Sequence, residues 1–168
     1  MLQTFSKDLK TIKIFRRKIE NALDVRITIN DKVIIESKKD DAFSEYRASK
    51  VLEALDSGFN ITSAILLADE DYMLEKINIK RYARQSRLKT ILGRVIGKQG
   101  KALKLLSSFT NCKFAIEGYN VSIIGKAEDI ETAIASLRKL IGGAPHSKVY
   151  AYLERNNALK KEDEDEVI

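Results

Sequence analysis

At 168 residues, 44% hydrophobic and 32% charged, the chain has room for one ordinary domain or two small ones. No apolar run approaches the roughly eighteen residues of a membrane-spanning helix, and Met1 to Asp8 carry neither the basic stretch nor the apolar run of an export signal, so a cytoplasmic protein without a membrane span is expected. With Cys112 as the only cysteine and His146 as the only histidine, an intrachain disulfide and a Cys/His zinc site are excluded. No Gly-x-Ser-x-Gly elbow or phosphate-cradling Gly-x4-Gly-Lys-Ser/Thr loop occurs either, so no enzyme, cofactor or metal is expected.

From the N-terminus, Met1 to Phe5 offer material for a short opening strand. Leu9, Ile12, Phe15 and Ile19 fall on one face of a helix with no glycine to break it. Val25-Arg26-Ile27-Thr28-Ile29 alternates at period two, and Val33-Ile34-Ile35 returns across the turn pair Asn30-Asp31, which predicts a hairpin. Ala48, Val51, Leu52 and Leu55 then recur at helical spacing as far as Gly58.

The second half begins with a strand over Leu74 to Ile79 and a helix over Arg87 to Ile96. A shift of 87 residues then lays Val25, Ile27 and Ile29 on Cys112, Phe114 and Ile116, with Val121, Ile123 and Ile124 as the return strand. The same shift lays Phe15 to Ala22 on Ala102 to Phe109. The closing helix carries Ile130, Ala133, Ile134, Leu137 and Ile141 and stops at Gly142-Gly143. The chain thus reads as one fold in two copies, 1–70 and 71–157. Cys112 is expected to be a buried thiol, and His146, after Pro145, to have a structural or capping role at a helix start. Glu162-Asp163-Glu164-Asp165-Glu166 predicts a disordered acidic tail over 158–168.

Charge is segregated. Residues 76 to 116 hold eleven Lys or Arg and no Asp or Glu, while the other 19 basic residues face 24 acidic ones. A solvated face normally mixes signs, so this stretch points to a polyanion. Within it lies Val95-Ile96-Gly97-Lys98-Gln99-Gly100-Lys101-Ala102-Leu103. Two glycines three apart let the backbone turn sharply and approach a ligand, and N–H groups at the start of the next helix suit phosphate. The first copy has Lys10-Thr11-Ile12-Lys13 at the equivalent place, without glycine.

That stretch reproduces the Val-Ile-Gly-x-x-Gly-x-x-Ile/Leu pattern of KH domains, in the β-α-GxxG-α-β-β-α order of the type I fold. The expected fold class is therefore α+β: two tandem type I KH domains, each a three-stranded sheet packed by helices, the first degenerate without GxxG, plus a C-terminal helix. With Gly142-Gly143-Ala144-Pro145-His146 and the Val149-Tyr150 and Leu153-Glu154 pairs, the chain resembles the archaeal homologue of the partner-of-Nob and KRR-type small-ribosomal-subunit assembly factors. The absence of the long N-terminal extension of eukaryotic members fits the archaeal branch. The resemblance implies a single-stranded RNA-binding factor in ribosome biogenesis, acting near the 3′ end of small-subunit ribosomal RNA. It also implies a PIN-domain endonuclease partner, and a first domain that contacts protein or braces the second. A translation-linked scaffold docking on an initiation-factor subunit is the alternative.

The candidate RNA-binding residues are Arg94, Ile96, Gly97, Lys98, Gln99, Gly100, Lys101, Leu103 and Lys104. Lys80, Arg81, Arg84, Arg87, Lys89 and Lys113 form a supporting basic patch. Ile96, Leu103, Phe114 and Ile116 are candidates for an apolar floor under the bases.

Overall fold

The computed structural model describes residues 1–4 and 6–166, with side chains described as far as Leu159. Its first half opens with β1 (Leu2–Thr4) and α1 (Leu9–Leu23). Asp8 caps α1 by accepting from the Thr11 N–H, and Asp24 ends it in the left-handed region. The helix crosses Lys10-Thr11-Ile12-Lys13 without a break, as the absence of glycine there predicts. The hairpin is β2 (Val25–Ile29) and β3 (Val33–Ser37). Asp41 then caps α2 (Ala42–Asp56) through the N–H groups of Phe43 and Ser44. The sheet is antiparallel in the order β1-β3-β2, with both Leu2 and Ile27 opposite Ile35. Ile12, Ile19, Ile27, Ile35, Val51 and Leu52 fill its core.

A short helix α3 (Ile61–Ala64) and a tighter helical turn at Ile65–Ala68 lead into β4 (Tyr72–Asn78), two residues earlier than the apolar pattern suggested. Tight turns at Ile79–Arg81 and Gln85–Arg87 precede α4 (Leu88–Ile96), and a glycine-bounded turn separates it from α5 (Lys101–Thr110). The hairpin β5 (Lys113–Glu117) and β6 (Asn120–Lys126) and the helix α6 (Ala127–Ile141) follow. Acidic residues in the first turn of α6 and basic ones in its last complement its dipole. The second sheet, β4-β6-β5, repeats the topology of the first, with its first strand beside its third. Ile79, Leu88, Leu106, Ile123, Leu137 and Leu140 are buried beneath it.

The last helix, α7, runs His146–Glu166 and docks Val149 and Leu153 into the second core. The helix continues through the first residues of the expected acidic tail as far as Glu166. Nothing after Pro145 breaks it, since the segment holds neither glycine nor proline and is rich in good helix formers. Residues 167 and 168 of the expected tail lie outside the described residues.

Because side chains alternate across a strand, the second sheet has two faces. Phe114, Ile116, Val121 and Ile123 face the helices, and Ala115, Ser122 and Ile124 face the other way. That outer face is also covered. Ile124 is fully buried within the core of the first half, together with Ala115, and Ser122 is buried as well. Lys76 reaches Glu53 at 2.9 Å and Lys7 reaches Glu117 at 3.1 Å around this seam.

Candidate nucleic-acid interface

The turn between α4 and α5 is a backbone device. The Gly97 N–H donates to the Gly93 carbonyl, ending α4, and Gly97 adopts φ 73° and ψ 173°, which a side chain rarely permits. Gln99 (φ 53°, ψ 30°) and Gly100 (φ 73°, ψ 12°) both lie in the left-handed region. A Cβ at Gly97 would meet Ala102, whereas one at Gly100 would point into open space. Gly97 is thus required for packing, and Gly100 for its conformation and its bare surface. As the residue preceding α5, Gly100 supplies no side-chain cap: the Lys101 N–H turns back to the Lys98 carbonyl, and the N–H groups that follow it in the first turn have no side-chain acceptor.

Ala102 and Leu106 fix α5 in the core, which turns Lys101 and Lys104 outward beside the exposed Lys98 and Gln99. Among the described residues, none of Lys98, Lys101 or Lys104 pairs with a carboxylate. Ile96 is half-buried at the end of α4, and Leu103, Phe114 and Ile116 are partly buried against the second core. The structure thus brings Ile96 to Leu103 and Lys104 together at one end of the α4–α5 pair.

The supporting patch lies elsewhere. Lys80, Arg81, Arg84, Arg87 and Lys89 are exposed on the turns before α4 and on its first turn, one helix length from the loop. The Lys80 ammonium sits 5.4 Å from the centre of the Tyr119 ring. Lys113, also exposed, follows the far end of α5, about 15 Å along that helix from Gly100. Lys80 to Lys89 thus form a second basic zone, separate from the loop, while Lys113, opposite Ile124, lies at the other end of the sheet from Lys80 and Tyr119.

Arg94 has a different position from the one its place in the basic run suggested. Its guanidinium donates to the carbonyls of Ala144 (2.6 Å) and Leu140 (3.4 Å), and its own carbonyl meets His146 Nε2 at 2.9 Å. The residue therefore clamps α4, just before the loop, to the α6–α7 turn. Sequence reasoning missed this clamp, although Pro145-His146 at a helix start was its one visible sign. Among the described residues, no cluster of three or more His, Cys, Asp or Glu could hold a metal ion, and no helix is long and apolar enough to cross a membrane.

Comparison with known proteins places this geometry in a family. The chain is 32% identical over 145 residues to a KH domain-containing protein of Methanocaldococcus jannaschii, covering 83% of this chain and 64% of that one. It is 27% identical over 158 residues to the pre-rRNA-processing protein pno1 of Aspergillus fumigatus, covering 89% and 63%. The chain therefore spans less than two thirds of the length of these curated relatives. Among solved structures, a chain of the a/eIF2alpha–aDim2p–rRNA complex from Pyrococcus horikoshii superposes with a TM-score of 0.83 at 28% identity, covering 92% of both chains. The family model for the second KH domain of PNO1, described as eukaryotic type KH-domain (KH-domain type I), matches residues 73–158, which hold both glycines of the loop, the helices that flank it and all of the second sheet but Tyr72. This chain belongs to the PNO1-type branch of the type I KH-domain family.

Proposed function

We propose that this chain binds single-stranded RNA through the Gly97–Gly100 loop and acts in the cytoplasm as an assembly factor for the small ribosomal subunit, near the 3′ end of its ribosomal RNA. The loop carries the proposal: a bare backbone turn opening on the uncapped start of α5, flanked by Lys98, Lys101 and Lys104, which among the described residues pair with no carboxylate. Phosphates meet N–H groups and mobile cations there, while Ile96 and Leu103 offer apolar surface to the bases. The printed names of the relatives, pre-rRNA processing and an rRNA complex, support the ribosomal target.

In this reading, residues 1–70 form a KH-type unit in which the continuous α1 replaces the two helices and glycine loop of residues 71–157. The shared strand order supports it. The proposed partners are RNA, an initiation-factor subunit of the kind present in the Pyrococcus complex, and a PIN-domain endonuclease. If docking on the initiation factor is the main task, the protein will co-sediment with that factor and not with precursor small subunits.

The test replaces Lys98 and Gln99 together by Asp and measures affinity for an RNA of the small-subunit 3′ end beside a thermal melt. Affinity should be lost with the melt still cooperative, because both side chains are exposed. Retained affinity would remove the loop from its role.

A further inference from the structure

Away from the loop, a groove of about 590 Å³ runs between α2 and β4. Phe43 and Tyr46 of α2 and Met73 of β4 line it at 76%, 54% and 43% exposure. Large apolar side chains held this far into water over one patch mark a surface that receives something.

The shape of the groove says what it receives. Tyr72, Met73, Leu74 and Glu75 all line it, yet consecutive residues of a strand point to opposite faces. A groove that touches four in succession follows the edge of the strand. β4 is the edge of the order β4-β6-β5, and among the described residues no strand pairs with its outer side. An unpaired edge presents a row of N–H and C=O groups that an extended peptide can take up.

The charge is opposite to that of the loop. Glu70 pairs with Arg47 at 2.9 Å, and Lys50 pairs with Glu53 at 2.8 Å. That leaves Asp69 and Glu75 lining the groove with no cation on either among the described residues. A polyanion is disfavoured there and a basic side chain is welcome. Arg47 also keeps its buried Nε–H without an acceptor, a donor that a small side-chain shift would bring to an incoming carbonyl.

We propose that this groove takes an extended segment of a partner protein, alternately apolar and basic, which adds to the second sheet as a fourth strand beside β4. Its apolar side chains would cover Phe43 and Tyr46 on the side of α2, and its basic ones, on the opposite face that carries Met73 and Glu75, would meet Glu75.

The probe is a labelled peptide of about eight residues alternating Val and Lys, set against the same peptide with Glu for Lys. The Val/Lys peptide should bind the full chain at least roughly tenfold more tightly, and it should protect the backbone amides of residues 72–75 from hydrogen exchange. Phe43→Ser with Tyr46→Ser, both exposed and hence compatible with folding, should weaken it roughly tenfold. Glu75→Lys should reverse the preference between the peptides. The Lys98→Asp, Gln99→Asp variant should bind the peptide like the parent chain. Equal binding of the two peptides, unchanged exchange along β4, or displacement of the peptide by single-stranded RNA would overturn the proposal. So would a dimer in sedimentation that the Phe43/Tyr46 variant dissolves, since the occupant would then be a second copy.

Discussion

A Cβ on Gly97 would lie 2.6 Å from the Cβ of Ala102, the residue that seats the first turn of α5 in the core, and 2.7 Å from the Ala102 nitrogen. Neither atom can move without displacing α5. Gly97→Ala should therefore cost about 2–4 kcal/mol from strain and overpacking together. Gly100→Ala, which meets nothing, should cost about 1 kcal/mol from its left-handed backbone alone. Chemical denaturation of both variants checks this, and an equal cost at the two sites would contradict the packing.

Binding of single-stranded RNA should weaken with salt on a log–log slope of roughly −2 to −3.5. That is the expectation for three to five phosphates at about −0.7 each. A steeper slope that Arg84→Glu with Arg87→Glu makes shallower would bring the second basic zone into the same RNA path. A slope near zero would exclude an electrostatic cradle altogether.

Arg94→Met should destabilise the chain by about 1–3 kcal/mol, since it removes the guanidinium donor from the Ala144 carbonyl and leaves the Leu140 carbonyl with the Gly143 N–H. Lysine should not rescue it, because a single ammonium on a flexible stem does not reproduce the planar fork that reaches two carbonyls. At a temperature where the variant is still folded, its RNA affinity should fall far less than that of the Lys98/Gln99 variant. A larger fall in affinity than in stability would return Arg94 to the binding surface.

Acid should loosen the first half before the second. Among the described residues, six carboxyls between Asp8 and Glu53 are held below their ordinary range. The Thr11 hydroxyl and N–H hold Asp8 down, and the Ser44 hydroxyl and Phe43 N–H hold Asp41 down. Burial pushes Glu20 and Glu53 up, but the Ile27 N–H and Arg16 outweigh it at Glu20, and Lys50 and Lys76 outweigh it at Glu53. Such groups stabilise the fold above their unfolded pKa values, near 3.8 for Asp and 4.5 for Glu, and that stability is lost as pH falls through the lower folded values. Amide exchange followed downward from pH 6 should show α1 and α2 opening first. Simultaneous loss of both halves would mean the seam couples them more strongly than these carboxyls distinguish them.

Residues 71–157 expressed alone should associate or bind hydrophobic dyes, since separation bares Ile124 and Ala115, which the first half covers. Burying the Ile124 side chain alone is worth about 1.5–3 kcal/mol. Ile124→Thr should make the fragment better behaved while destabilising the whole chain, a pair of opposite effects readable by light scattering and melting.

What the sequence made legible was local. Periodicity located α1, both hairpins and α6, and the missing glycine at Lys10 to Lys13 foretold an unbroken helix. The glycine spacing located the loop because positive φ and close packing leave few alternatives to glycine. Contacts between distant segments left no such trace. Arg94 looks like its basic neighbours until the α6–α7 turn arrives beside it. Ser122, a polar residue between Val121 and Ile123, is buried on the face that the first half covers, and no strand pattern shows that. The groove at Phe43 and Tyr46 needs both halves in place, so no single helix or strand pattern reveals it.

The covered outer face of the second sheet makes the molecule a spacer of set length. Between the halves, residues 61 to 68 are helical, Ala64 and Leu67 are themselves core, and only the short exposed turn Asp69 to Asp71 precedes β4. The glycine loop and the α2 wall of the β4 groove therefore keep one separation and one mutual orientation. A partner held at one is presented to whatever is held at the other at a single distance, which raises its local concentration there. Target selection then becomes partly a matter of span, and an assembly whose two binding elements lie too near or too far apart is passed over even when each would fit on its own.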